Sequence, residues 1–136
     1  MAGLKAATYA PTWPDINGSF FPHGGTPSSG VLPIFDNPLA VHFIHRNLAY
    51  VIFIMTFIWF IKSRKVENNS LLKKTNWLPP VVVSLQVLLG ILTVLNSPQR
   101  KALLWLGVSH QFVAMMLLLL LLFEFYVLSE KKISLT

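Results

Sequence analysis

The chain has 136 residues, 54% of them hydrophobic and only 12% charged, with a formal net charge of +6 and no cysteine. Soluble domains carry about 25% charged residues, so half that share with surplus apolar content excludes a disordered chain and argues against a soluble globular domain. Without cysteine there is no disulfide framework, no covalent c-type heme attachment and no thiolate metal site.

Residues 1–37 are rich in turn formers: Pro11, Pro14, Asn17-Gly18, Pro22, Gly24-Gly25, Pro27 and Ser28-Ser29-Gly30. Tyr9, Trp13, Phe20, Phe21 and Phe35 are set among them, which suits a loop folded down on a membrane interface. The start shows neither the basic n-region nor the apolar core of a signal peptide. Delivery of this loop to the outer face therefore implies a preceding helix that ended near Ala2-Gly3-Leu4, with Met1 an artificial or split start. His23 in this loop is expected to face solvent.

A helix crossing a bilayer needs about 20 mostly apolar residues. The first such stretch, 38–61, is interrupted by His42, His45 and Arg46 near one end. A basic linker, 62–76, follows. The second stretch, 77–97, lies in an uncharged run and enters through Trp77, Pro79 and Pro80; proline is tolerated there because a first-turn N–H has no intrahelical partner. The third, 102–128, contains six successive leucines after Met115-Met116, and a short tail, 129–136, ends the chain. The fold class expected is all-α: a polytopic transmembrane helix bundle with three spans.

The basic residues set an orientation. Lys62, Arg64, Lys65, Lys73 and Lys74 lie in the linker and Lys131 and Lys132 in the tail, against Lys5, Arg100 and Lys101 on the other side. Seven against three in short loops puts the linker and the C-terminus in the cytoplasm and residues 1–37 outside the cell's inner (plasma) membrane. The basic excess is thus a topology signal, and no nucleic-acid partner is expected.

Ionisable residues at membrane depth are expensive and usually functional. His45 and His110 lie roughly 10 and 13 Å inside the same face at about 1.5 Å per residue, so their imidazoles can meet at one level. Two imidazoles from different helices are what a hexacoordinate heme iron requires. The bland alternative is that each hydrogen-bonds a neighbouring helix. Arg46 can pair with heme propionates or snorkel to the interface. His42, one turn before His45, is open to three roles, substrate contact, proton carrier or outer-interface residue, with the last preferred. Gln86, Gly90 and Thr93 share a face of the second span, where Gly90 admits close approach of a flat cofactor or of another helix. Glu124 is expected to reach the interface. Met55, Met115 and Met116 read as packing or lipid-facing residues rather than copper ligands.

Several motifs then carry a resemblance. Ala2-Gly3-Leu4-Lys5-Ala6, Thr12-Trp13-Pro14-Asp15-Ile16-Asn17-Gly18, Asp36-Asn37-Pro38 leading to His45-Arg46, Gln86-Val87-Leu88-Leu89-Gly90-Ile91-Leu92-Thr93 and Ser109-His110-Gln111 together resemble the heme A synthase family. The resemblance implies eight transmembrane helices in two four-helix halves, with a histidine pair for heme in each. It also implies oxidation of a heme O methyl group to formyl for terminal oxidases. This chain resembles the C-terminal half without its first helix. His45 and His110 would be axial ligands of heme b, with Arg46 and Gly90 beside the cofactor. The substrate-binding half would be missing, so heme O would be met only through it, and heme O synthase or terminal oxidase assembly factors are the expected protein partners besides the lipid bilayer. The family's glutamate one turn before its histidine is His42 here, a departure that argues against a catalytic role for this half. The rival readings are a small membrane cytochrome b-type electron-transfer subunit without catalysis of its own, and a cofactor-free structural membrane protein.

Overall fold

A computed structural model describes residues 6–21, 37–66 and 70–133, with side chains among these from Ala7 to Ser129. His23, residues 1–5 and the tail lysines lie outside those whose side chains are described. The elements run α1 (Ala6–Tyr9), α2 (Pro38–Ser63), α3 (Ser70–Thr75), α4 (Leu78–Leu95) and α5 (Arg100–Ile133). Among the described residues no strand forms beyond an isolated bridge between Ile16 and Ser19. The all-α class holds, with three helical stretches long and apolar enough to cross a membrane.

Helix boundaries follow from local chemistry. Asn37 caps α2, its Oδ1 accepting from the N–H groups of Leu39 at 2.9 Å and Ala40 at 3.4 Å, while Pro38 takes the first-turn position. Pro79 and Pro80 have no N–H to donate to the carbonyls of Thr75 and Asn76, so the helical run breaks there and α4 restarts at Leu78. Helix α4 ends at Asn96, whose side chain donates to Leu92 O at 2.9 Å ahead of Pro98. Helix α5 has 34 residues, a length of about 50 Å against a hydrocarbon core of about 30 Å. It continues to Ile133, into the stretch expected to be a tail.

Helix α4 is the centre of the bundle, with α5 and α2 both packed on it. Large apolar side chains such as Ile54, Met55, Leu104, Trp105 and Phe125 point outward, as lipid-facing helices require.

Residues 6–21 form an ordered cap on one end of the bundle. Asn17 (φ 54°) and Gly18 (φ 85°) make a tight turn closed by two backbone bonds between Ile16 and Ser19 at 2.8 and 3.2 Å; positive φ at both central positions suits the Asn-Gly pair. Thr12 Oγ1 accepts from Asn17 N at 2.8 Å, and Asn17 Nδ2 donates to Tyr9 O at 2.9 Å. The Trp13–Pro14 bond is cis. Ser97 Oγ donates to Ala7 O at 2.9 Å, tying the cap to the turn between α4 and α5. Tyr9, Phe20 and Phe21 remain exposed, consistent with an interfacial loop.

Candidate functional site

The bundle brings His45 of α2 and His110 of α5 together: their ring centroids are 6.2 Å apart with planes at 66°. Matched depth along two helices is enough to produce this meeting once both pack on α4. His45 is exposed, and His110 is half-buried against α4.

Helix α4 grips His110 through one residue twice. Nδ1 of His110 lies 3.1 Å from the backbone oxygen of Gln86, and Nε2 lies 3.1 Å from the side-chain amide nitrogen of the same residue. A carbonyl oxygen only accepts, so the ring proton is assigned to Nδ1 and Nε2 is the acceptor. Gly90, one turn further along α4, lies under the ring. A Cβ there would stand 3.1 Å from Cε1 and 3.5 Å from Nδ1. Sequence reading grouped Gln86 with Gly90 on one face but missed the double contact. The spacing of four marks the face, while nothing in it reveals which ring lies across. Thr93, third on that face, donates its hydroxyl to Leu89 O at 2.6 Å.

Arg46 is placed otherwise. It is buried, and its guanidinium donates to Asp15 O and Thr12 O at 2.6 Å each, to Pro14 O at 3.3 Å and, through Nε, to His42 Nε2 at 3.0 Å. Three of those bonds peg the cap onto α2, and the fourth, to His42, stays within the helix. His42 sits at the cap end of α2 but is wholly buried beneath the cap, and its Nδ1 has no hydrogen-bond partner. His42 and His45, one turn apart, therefore serve different surroundings. A cleft of about 100 Å³ between the cap and α2, lined by Pro14, Ile16, Phe20, Phe43, Asn47 and Tyr50, falls well below the several hundred Å³ of a usual cofactor site.

At the other end of the bundle, Glu124 departs from expectation. It is 1% exposed, and neither carboxyl oxygen meets a donor in hydrogen-bond geometry, although Thr75 stands beside it. The cause is α3, which folds against α5 and covers a position that would otherwise reach the interface.

Among the described residues no group of three or more His, Asp or Glu side chains could hold a metal ion. A two-histidine site between apolar spans suits a group that brings its remaining metal ligands with it, as a porphyrin does. The fold and site thus define a multi-pass membrane helix bundle with a paired-imidazole site. The chain belongs to the COX15-CtaA family of cytochrome oxidase assembly proteins, whose family model matches residues 1–122. It is similar to heme A synthases from Bartonella henselae (34% identical over 119 residues, 87% of this chain and 32% of the relative) and Bartonella quintana (36% over 119 residues, with the same coverage). The Rhizorhabdus wittichii heme A synthase is 30% identical over 135 residues, 98% of this chain and 37% of that protein. The chain spans about a third of the length of these curated relatives. No solved structure matches.

Proposed function

We propose that this chain is the C-terminal, heme b-binding part of a heme A synthase, with His45 and His110 as the axial ligands. The 6.2 Å between ring centroids carries the reading. Two imidazoles from different spans, this close together and between apolar helices, are the donor pair that would hold a heme iron.

Heme bound there supplies one-electron redox chemistry at a potential set by its axial ligands and surroundings. The chain does the rest. Gln86 O fixes the His110 tautomer that leaves Nε2 able to ligate, and Gly90 lets that ring lie against α4. Arg46 holds the cap over the same end of the bundle, and the Nη2–H it does not spend on the cap is available to a propionate. Oxidation of the heme O methyl group to formyl belongs to the half of the enzyme outside this chain, and heme O synthase or terminal oxidase assembly factors are the protein partners this reading proposes. The basic excess of linker and tail supports a C-terminus in the cytoplasm and a cap outside the inner (plasma) membrane. Coverage of 87–98% of the chain by heme A synthases favours this reading over a free-standing cytochrome b-type electron-transfer subunit.

The full chain, purified in detergent with hemin added, should give a bis-histidine reduced-minus-oxidised spectrum. His45→Ala and His110→Ala should each abolish it. A signal unchanged in both variants overturns the assignment.

A further inference from the structure

We propose that Gln86 is a latch on His110: its side-chain amide occupies the Nε2 lone pair until heme iron takes that lone pair over. This rests on the axial-ligand reading above. It concerns a residue that reading leaves without a role of its own beyond a backbone carbonyl.

A neutral imidazole has one acceptor nitrogen, with a single lone pair in the ring plane. With the proton on Nδ1 and donated to Gln86 O at 3.1 Å, that acceptor is Nε2. The Gln86 amide sits on it at 3.1 Å. Metal and amide compete for the same electrons, so ligation breaks the Gln86 Nε2–H···Nε2 bond. The Nδ1–H···O bond can stay, and it then serves as the orienting contact that metal-bound histidines usually keep. The ring need travel little, since its centroid is already 6.2 Å from that of His45 and Gly90 leaves it against the α4 backbone.

The latched arrangement is incompletely satisfied. The other end of the same amide, Oε1, is buried without a hydrogen-bond partner. A buried carbonyl oxygen left unpaired is unfavourable, and this offsets much of what the amide gains at His110. The latch therefore holds loosely. It keeps the ring from seeking other partners before heme binds, and it yields readily.

The test uses Gln86→Leu, which removes the amide, keeps the backbone carbonyl and approximates the side-chain volume. Full-length protein is prepared without heme in detergent, and two readouts are taken. The first is carbethoxylation by diethyl pyrocarbonate, which needs a bare imidazole lone pair, followed residue by residue by mass spectrometry. His110 should react more slowly than His45 in the parent, and severalfold faster in Gln86→Leu, with His45 unchanged. The second is hemin titration, where loss of one competing hydrogen bond should tighten binding by about two- to tenfold. Hemin bound with His45 and His110 dependence, but equally well in both proteins and with His110 reactivity unmoved, overturns the latch and leaves the axial-ligand reading standing. A parent protein whose hemin spectrum ignores both histidines overturns that reading, and the latch with it.

Discussion

Arg46 Nε donates to His42 Nε2 at 3.0 Å while the rest of the same guanidinium grips three backbone carbonyls, those of Thr12, Pro14 and Asp15. One side chain thus joins a helix long enough to cross a membrane to a cap 31 to 34 residues earlier in the chain. Planar fork geometry is what makes this work: a lysine ammonium presents a point charge and cannot address carbonyls on several sides at once. Arg46→Lys should destabilise the protein by about 2–4 kcal/mol, because charged hydrogen bonds are lost and buried carbonyls are left unpaired. Thermal unfolding in detergent measures the loss. Limited proteolysis gives the sharper view, since cleavage within residues 6–21 should accelerate before cleavage in α4 does. A cap as protected as in the parent would refute the peg.

Gly90 should separate stability from cofactor binding. In Gly90→Ala the new Cβ meets His110 Cε1 at 3.1 Å, so the ring must yield by a few tenths of an ångström. Alanine also favours the helix over glycine by about 0.5–1 kcal/mol. The expected outcome is an unfolding temperature equal to or above the parent's together with weaker hemin binding, two readings moving in opposite directions. Parallel loss of both would mean that the glycine serves helix packing alone.

The turn at Asn17 and Gly18 admits a narrower prediction. Gly18 has φ 85° with open space around its Cα, so Gly18→Ala meets no side chain and suffers only backbone strain, of about 1 kcal/mol. Since the cap touches the bundle through Arg46 and Ser97 as well, the effect should appear as faster amide exchange in the cap without change at His110. Hydrogen exchange read by mass spectrometry checks it.

What could be read from the residues and what could not divide along physical lines. Spans were visible because apolar run length, the cap at Asn37 and the proline pair at 79–80 act locally. The meeting of His45 and His110 was visible because depth in a bilayer is nearly a one-dimensional coordinate, counted from a loop boundary. The grip of Arg46 on the cap was not, since its partners there are backbone carbonyls, which every residue offers and no sequence marks. Gln86 showed its face but not its ring, because the register of α5 against α4 is a property of the packed pair. His42 read as an interfacial residue, yet a cap rich in turn formers and aromatics closes over it.

Glu124 is the last such case, and it makes a prediction of its own. It was expected at the interface because it lies near the end of a long apolar helix; the short helix α3, in a linker that reads as basic and solvated, covers it. A buried carboxyl with no donor in hydrogen-bond geometry is unfavourable whether charged or neutral, and more so when charged. Replacing such a group by an apolar side chain of similar size is commonly neutral or stabilising. Glu124→Leu should therefore raise stability, by about 1–3 kcal/mol, and Glu124→Lys should lower it by at least as much, since it puts a cation in the same enclosure. Hemin binding should be unchanged in the leucine variant, because Glu124 lies fourteen residues beyond His110 on α5, about 21 Å along the axis. A leucine variant less stable than the parent would show that Glu124 has a working partner, Thr75 beside it or a group outside the described residues, and would make the carboxyl a structural tie instead of a buried cost.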